Sequence, residues 1–275
     1  MLRMTKAPQT ASHPADRVIL NGCEGIKKKT MGKIWQKCWN ALNYIYGLTN
    51  TRSHKQLRSL KNSHSGRCFV IGNGPSLKNS DLKRIMELGE KSFACNSLIK
   101  LFDEIPFLPT YYFAQDNKII LDNKKEIEQY SGPRFIKAHY AGRYHLKGVT
   151  YYNMLFPKHP IGFSRDISKV VYSGQTVTYS MIQFAAYMGF KEIYLIGVDC
   201  NYSQNNDTIS ADSYFDARLF NSGRSYAPPE VDTNLLAYSR AKEVCDKMGV
   251  KIYNATRGGK LEIFPRANLD EILRG

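Results

Sequence analysis

The fold of this 275-residue chain is decided by residues 67–76, RCFVIGNGPS. The first five of these residues form a short apolar run that is typical of a buried strand, and the Gly-Asn-Gly-Pro sequence after them predicts a tight turn. A helix is predicted to follow from Asn79 to Leu88. A strand, a glycine-rich turn and a helix in succession indicate the first unit of an α/β fold.

The same alternation continues on the C-terminal side of this unit. Further strands are predicted at Ser92–Cys95, Thr110–Ala114, Arg134–Ala138, Lys191–Gly197 and Lys251–Tyr253, and further helices at Lys118–Tyr130, Gln175–Met188, Val231–Met248 and Asn268–Leu273. Strands that alternate with helices imply a mostly parallel, doubly wound sheet with helices on both faces. The polar stretch 199–230 is too long for an idle connection, and we expect it to act as a lid or binding loop.

On the N-terminal side the composition changes sharply. The chain carries a formal net charge of +15, and residues 1–67 hold 13 Lys/Arg against 2 Asp/Glu, a balance of +11. Residues 68–275 have a balance of only +4. The charge therefore belongs to an N-terminal arm, and a nucleic-acid partner is not expected because the basic residues are not spread over the folded part. We predict two parts, an extension at 1–62 and a catalytic domain at 63–275.

Within the extension, residues 33–46 have the periodicity of an amphipathic helix. One side is apolar, and both tryptophans of the protein, Trp35 and Trp39, flank that side. Basic residues precede and follow the helix. This pattern is typical of a helix lying in a membrane interface, and it fits a helix docked on the globular domain equally well.

Several classes of protein are not expected from the composition. No apolar run reaches the roughly 20 residues of a membrane span, and Met1–Leu20 lacks the apolar core of a signal peptide. Six cysteines without a Cys-x-x-Cys pair indicate free thiols rather than a zinc site or disulfides. We therefore expect a cytoplasmic protein, peripheral to the inner face of the cytoplasmic membrane, with no metal site.

Polar residues close the strands that neighbour the glycine turn. Asn96 ends the second strand, Gln115 and Asp116 end the third, and the segment 173–176 precedes the long helix. Each residue alone is typical of a helix cap or turn. Ligands of open parallel sheets bind outside the carboxyl ends of the strands, where glycines let backbone amides approach a phosphate. The predicted nucleotide-binding residues are Gly72, Asn73, Gly74, Pro75, Ser76, Asn96, Gln115, Ser173, Gly174, Gln175 and Thr176.

These motifs carry a resemblance to a known family. Residues 72–76, 95–96 and 173–174, the block MGFKEIYLIGVD at 188–199 and the SYFD sequence at 213–216 occur in the same order in bacterial lipooligosaccharide sialyltransferases. The resemblance covers roughly residues 67–255. The NATRGG sequence at 254–259 is similar to motility-associated glycosyltransferases and to hydroxymethylpterin diphosphokinase-like proteins.

The resemblance implies a Rossmann-like domain of the GT-A-variant, sialyltransferase-like kind. It implies a CMP-linked nonulosonic acid, such as sialic acid or Kdo, as donor substrate, handled without a metal or cofactor. By resemblance, Asn73 and Asn96 contact the donor phosphate and ribose, and Ser173 and Gly174 contact the nucleotide. Tyr214 and Tyr202 are then expected to hydrogen-bond the departing phosphate.

The sequence departs from this family at the general base. The sialyltransferases place a histidine just before the helix that begins here near Val231, but residues 224–230 read RSYAPPE. A carboxylate can serve instead if burial strengthens its affinity for protons. The alternatives are Asp116, Glu230 and Asp199, of which Asp116 is preferred because we expect it to be buried at the sheet edge. Asp199 fits a loop-opening residue that bonds nearby amides equally well.

Two enzymatic functions follow from these patterns. The first is a glycosyltransferase that moves a sugar from a nucleotide-linked donor to a surface-polysaccharide, lipopolysaccharide or lipid-linked acceptor. The second is an ATP-dependent diphosphokinase of the hydroxymethylpterin type, which requires Mg²⁺ and a carboxylate to hold it. Donor sugar, acceptor, linkage and oligomeric state stay open, a homo-oligomer included.

Overall fold

The computed structural model describes residues 51–156, 161–201, 204–205, 208–209, 213–219 and 231–274. The predicted amphipathic helix at 33–46 lies outside these residues, as do Tyr202 and Glu230. Among the helices that are described, none is long and apolar enough to cross a membrane.

The elements are numbered in chain order. The helices are α1 (Thr51–Ser59), α2 (Asn79–Glu87), α3 (Asn117–Asp122), α4 (Lys124–Gln129), α5 (Ala141–Tyr144), α6 (Val177–Met188), α7 (Val231–Lys247) and α8 (Leu269–Ile272). The strands are β1 (Arg67–Ile71), β2 (Ser92–Cys95), β3 (Tyr111–Ala114), β4 (Arg134–Lys137), β5 (Thr150–Tyr152), β6 (Met154–Leu155), β7 (Val171–Tyr172), β8 (Glu192–Ile196), β9 (Gln204–Asn205), β10 (Thr208–Ile209) and β11 (Lys251–Asn254).

Seven strands form one sheet in the order β11-β8-β1-β2-β3-β4-β5, and every neighbouring pair is parallel. The chain moves outward from β1 to β5 and then returns through β8 to the other side of β1. The strand order therefore reverses between β1 and β8, and the crevice at such a reversal is where open α/β sheets bind ligands. The predicted mostly parallel α/β fold is confirmed.

Both faces of the sheet are buried, which explains why β1 is apolar at every position after Arg67. Cys68 and Val70 point to the face covered by α6 and α7, and Phe69 and Ile71 to the face covered by α2, α3, α4 and α8. All four side chains are fully buried. The helices that follow β1 and β8 thus lie on opposite faces, as a doubly wound sheet requires.

The predicted helix at Lys118–Tyr130 is wrong in one respect, because two helices occupy this range. The buried Asn123 separates α3 from α4, with φ −109° and ψ 25°. Its side-chain Nδ2 donates to the Ile119 carbonyl oxygen at 2.7 Å, and this bond satisfies a carbonyl at the end of α3. Periodicity could not show this break, since Ile120 and Ile127 keep one apolar face across it.

Helix α1 lies within the predicted N-terminal extension, yet it packs against the edge strand β5. The backbone N–H of Tyr151 donates to Ser53 Oγ at 3.0 Å, and Thr150 Oγ1 donates to Gln56 Oε1 at 3.0 Å. Leu57 of the same helix is buried in the core. Side chains of α1 therefore use hydrogen-bonding groups of β5 that an edge strand otherwise leaves open.

Candidate functional site

A cleft of about 340 Å³ opens at the carboxyl ends of the strands, over the reversal between β1 and β8. Its floor is formed by residues that follow β8, β1, β2, β3 and β4. A wall above this floor is formed by the start of α6 and the first turns of α7. We call the part beside residues 72–76 and 197–199 the switch-point end, and the part beside Asp116, Lys137 and Phe156 the open end.

At the switch-point end, the turn after β1 packs directly on the backbone that follows β8. The N–H of Gly72 donates to Ile196 O at 2.8 Å, and that of Gly74 donates to Gly197 O at 2.9 Å. A Cβ on Gly72 would overlap the Gly197 carbonyl, and one on Gly74 would overlap the Asp199 carboxylate. The glycines therefore permit close backbone packing, and their own two amides are already bonded to this backbone.

Asp199 holds this turn in place. Ser76 Oγ donates to Asp199 Oδ2 at 2.8 Å, and the N–H of Lys260 donates to the Asp199 carbonyl oxygen at 2.7 Å. The Asp199 side chain is 9% exposed. Burial raises the pKa of this carboxyl group, although the hydrogen bonds from Ser76 oppose the rise. The 254–259 segment supports it from behind, where Val198 N donates to Thr256 Oγ1 at 3.2 Å.

Two asparagines that line the cleft have buried side-chain oxygens without a partner in the described structure. Asn73 Nδ2 donates to Cys95 O at 3.3 Å, which leaves the buried Asn73 Oδ1 without a partner in the described structure. Asn96 Oδ1 is likewise buried and has no partner in the described structure. Asn96 has φ 54°, a left-handed conformation that asparagine tolerates better than most residues. Amide oxygens suit hydroxyl or amino groups of a ligand rather than phosphate oxygens, which are themselves acceptors.

The N-terminus of α6 supplies the donors that a phosphate needs. Gln175, Thr176, Val177 and Thr178 all line the cleft, and Thr176 caps the helix by accepting from Thr178 N at 3.3 Å. A helix N-terminus carries partial positive charge and unsatisfied amides. An anionic group would therefore be better accommodated at the N-terminus of α6 than at the amides of Gly72 and Gly74.

The segment before α6 is positioned by the buried Gln183. Its Oε1 accepts from the amides of Ser164 and Tyr172 at 3.0 Å each, and its Nε2 donates to Tyr172 O at 2.8 Å. These bonds hold Ser173, whose side chain lines the cleft. Gly174 does not line it, because a Cβ there would meet Ala237 and Tyr179 in the contact between α6 and α7.

The open end differs from the expectation at Asp116. The predicted burial of this carboxylate is wrong, since its side chain is exposed. Asp116 caps α3, with Oδ1 accepting from the amides of Lys118 at 2.8 Å and Ile119 at 3.1 Å. It nevertheless lines the cleft. Both hydrogen bonds of the cap are accepted by the same carboxylate oxygen, Oδ1.

The structure brings most of the predicted residues together. Those that line the cleft are Gly72, Asn73, Gly74, Asn96, Gln115, Asp116, Ser173, Gln175, Thr176, Asp199 and Tyr214. Pro75, Ser76 and Gly174 lie outside the lining, and Tyr202 and Glu230 lie outside the described residues. Gln115 is held by Ser180 Oγ at 2.8 Å, and the Tyr214 segment is tied to the turn by Phe215 N, which donates to Asn73 O at 2.8 Å.

Among the lining residues that were not predicted, Lys137 and Asn234 are buried and polar. Lys137 ends β4 and is 7% exposed, and its position at a strand end is the same signal that pointed to Asn96 and Asp116. Asn234, on α7, is 2% exposed, and its Oδ1 has no partner among the described residues. Nothing in the sequence of α7 distinguishes Asn234 from other helical positions.

The sequence matches the model of a known protein family. A family model described as 6-hydroxymethylpterin diphosphokinase MptE-like matches residues 42–205. The chain belongs to this family, and the superfamily expected from the sequence motifs is confirmed. No curated protein matches the sequence.

Among solved structures, the chain is similar to the MAf glycosyltransferase from Magnetospirillum magneticum AMB-1, with 15% identity and a TM-score of 0.49. The match covers 79% of this chain but only 38% of that protein. The chain is also similar to the sialyltransferase CstII from Campylobacter jejuni in complex with cytidine-5'-monophosphate, with 17% identity and a TM-score of 0.44. That match covers 74% of this chain and 85% of the other.

Proposed function

We propose that the protein is a glycosyltransferase that moves a sugar from a nucleotide-linked donor, in the first place a CMP-linked acidic sugar, to a glycan or glycolipid acceptor. The observation that carries this proposal is how few cations line the cleft. Lys137 is the single basic residue among the described residues that line it. One phosphodiester and one further anionic group match this lining better than a triphosphate, whose several negative charges require more cations.

In this proposal the nucleotide occupies the switch-point end. The phosphate lies at the N-terminus of α6 beside Ser173, where helix amides and a hydroxyl group can donate to its oxygens. Asn73 and Asn96 accept hydrogen bonds from ribose hydroxyls or the amino group of the base through their unpartnered oxygens. Tyr214 lies on the same side and stabilises the charge that develops on the leaving phosphate.

The acceptor enters at the open end, where Phe156 is 48% exposed. Asp116 accepts the proton of the acceptor hydroxyl, whose oxygen attacks the anomeric carbon. The bond from that carbon to the phosphate oxygen breaks, and the phosphate keeps the electron pair. We assign the base to Asp116 rather than to Asp199, because Asp199 is buried and its carboxylate accepts from Ser76. Glu230 stays an alternative.

Metal dependence separates this proposal from the second candidate, the diphosphokinase that the description of the matching family suggests. Over the described ranges, no three His, Cys, Asp or Glu side chains are grouped so that they could hold a metal ion. We expect turnover of a CMP-sugar donor to survive EDTA. Turnover that is lost in EDTA and restored by Mg²⁺, together with pterin-dependent consumption of ATP, would instead establish the diphosphokinase.

We also propose that the basic N-terminal arm holds the enzyme at the inner surface of the cytoplasmic membrane. The balance of +11 in residues 1–67, with Trp35 and Trp39 near one another in sequence, supports this. Because α1 packs against β5, the deletion that tests it removes residues 1–50 and keeps α1. The full chain should co-sediment with anionic vesicles and the shortened chain should not. Equal co-sedimentation would exclude this role.

A further inference from the structure

Lys137 at the open end carries a charge that the fold does not compensate. Its side chain is 7% exposed at the end of β4. Within the described structure it forms no ion pair, whereas the exposed Lys242 and Lys251 both pair with Asp246. A buried ammonium group without a partner is unfavourable, because it has lost water and gained no anion.

The groups around Lys137 do not replace that anion. Its Nζ lies 5.4 Å from the centre of the Phe156 ring, a cation–π contact that is much weaker than an ion pair in a buried site. Asp116 raises the pKa of Lys137 by its charge, but this carboxylate is exposed, and its Oδ1 accepts the hydrogen bonds that cap α3. His139 packs edge-on against Phe156 at 5.9 Å, and burial, together with the charge of Lys137, lowers the pKa of this histidine.

Burial is also reflected in the acid–base behaviour of Lys137. Desolvation lowers its pKa from 10.5 to about 8, although Asp116 acts in the opposite direction. An anion placed beside the amino group would restore the charged form. The geometry leaves room for one, because Lys137, Asp116 and Phe156 all line the cleft.

We propose that Lys137 forms an anion subsite at the open end, where its ammonium group binds a carboxylate or phosphate group of the molecule that lies beside the nucleotide. This inference rests on the proposed function in one respect, namely that the nucleotide occupies the switch-point end. Lys137 would then select an acidic sugar, or a phosphorylated acceptor, over a neutral one. It is a specificity-determining residue in this assignment and takes no part in bond breaking.

The first test measures Lys137 itself in the wild-type full-length chain. The protein is treated with a trace of acetic anhydride near the pKa of Lys137, at a pH of about 8. Acetylation is then quantified by mass spectrometry, with the exposed Lys125 as internal reference. Free N-acetylneuraminic acid and inorganic phosphate are the two probes. Slower acetylation of Lys137 relative to Lys125 with one probe supports the subsite and identifies the anion, whereas no protection by either overturns it.

The second test measures equilibrium binding of CMP and of CMP–N-acetylneuraminic acid to the wild type, Lys137→Met and the control Lys125→Met. If the sugar carboxylate is the anion, Lys137→Met weakens the CMP-sugar by about tenfold or more and changes CMP little. If Lys137→Met lowers the affinity for CMP as much as the affinity for the CMP-sugar, the proposal is overturned. Protection by phosphate with unchanged nucleotide binding assigns the subsite to a phosphorylated acceptor.

The two tests separate this subsite from the proposed function. If the wild type binds neither CMP nor the CMP-sugar, the proposed donor is wrong, and the acetylation experiment alone decides the subsite. If the wild type binds CMP but neither anion protects Lys137, the proposed nucleotide site is retained and the proposed anion subsite is wrong.

Discussion

At the switch-point end of the cleft, backbone packs against backbone, whereas the open end is lined by side chains. The amides of Gly72 and Gly74 donate to Ile196 at the end of β8 and to Gly197 after it, and a 2.8 Å hydrogen bond from Ser76 to Asp199 stabilises this contact. At the open end, by contrast, Asp116 is exposed and Phe156 is 48% exposed. The buried Lys137 lacks a counter-ion in the described structure.

The difference shows how a doubly wound sheet divides its site. Where the strand order reverses, the sequence of the floor is constrained, because a side chain at Gly72 or Gly74 would overlap the segment 197–199. Away from the reversal, the floor can change residue by residue without disturbing the sheet. We infer that the switch-point end binds the part common to all donors, and that the open end determines which group is transferred and to what.

The largest expected effect separates the two carboxylates. Asp116→Asn should lower kcat by about 10²–10⁴-fold and leave CMP affinity little changed, since it removes only the base. Asp199→Asn should instead weaken CMP binding and lower the free energy of unfolding by about 1–3 kcal/mol, because it disturbs the bond from Ser76. Both effects are measured by turnover at saturating donor, calorimetric titration and denaturant unfolding.

Glu230→Gln is the matched control for this comparison. Near-normal turnover of Asp116→Asn with a selective loss in Glu230→Gln would move the base into the 199–230 loop. A loss of turnover in Asp199→Asn with unchanged stability would place the base at the switch-point end and so reverse the division of the cleft.

A smaller effect, on folding alone, is expected at Gly72. Gly72→Ala places a methyl group against the Gly197 carbonyl, and overpacking of this kind costs about 1–3 kcal/mol or more. Gly89→Ala is the control, since Gly89 has φ 67° but open space around it, and should cost only about 1 kcal/mol. Chemical denaturation measures both. Equal costs would mean that the backbone around Gly72 and Gly197 adjusts to the methyl group without a packing penalty.

The open end should carry a measurable, pH-dependent cost in stability. Folding lowers the pKa of Lys137 from 10.5 to about 8, so between these pH values folding releases a proton that the unfolded chain keeps, and this lowers the stability of the wild type as the pH falls. Lys137→Met removes this cost. The variant should therefore gain stability relative to the wild type as the pH falls through this range, levelling off below about 8 at no more than about 3 kcal/mol.

Denaturant unfolding from neutral pH to about 10.5 measures this gain, with Lys125→Met as the exposed control. A stability difference between Lys137→Met and the wild type that is independent of pH would show that Lys137 keeps its hydration in the folded protein.

A modest effect on binding is expected at Asn73. Asn73→Ala removes an acceptor whose oxygen is buried and unpartnered, and should weaken CMP by about 10–100-fold with the fold intact. Asn153→Ala is a close control, because its side chain donates to Lys169 O at 3.4 Å and its buried Oδ1 also lacks a partner, but it lies outside the cleft lining. Equal CMP affinity of the two variants would remove Asn73 from the site.

Much of this architecture was predictable because it depends on local patterns. The apolar run of β1 and the glycine turn located the centre of the sheet, and the polar residues at the strand ends located the cleft. Helix α6 was also predictable from its largely apolar sequence, and the structure buries all of its residues from Val177 to Met188. In each case one short segment determines its own conformation.

What was not predictable depends on contacts between distant segments. Burial of Asp116 was expected from its place after β3, but α3 starts there and its amides take the carboxylate to the surface. The amides of Gly72 and Gly74 are bonded to Ile196 and Gly197, over 120 residues away in sequence. The orphaned Asn234 oxygen depends on the packing of α7, which no local pattern reports.

The central claim is that the switch-point end binds the nucleotide of a sugar donor. Calorimetric titration of CMP into the full-length protein in the presence of EDTA tests it most directly, with ATP and Mg²⁺ as the comparison. Saturable binding of CMP without metal, weakened in Asn73→Ala but not in Asn153→Ala, is the predicted result. Binding of ATP only with Mg²⁺, and none of CMP, would contradict it.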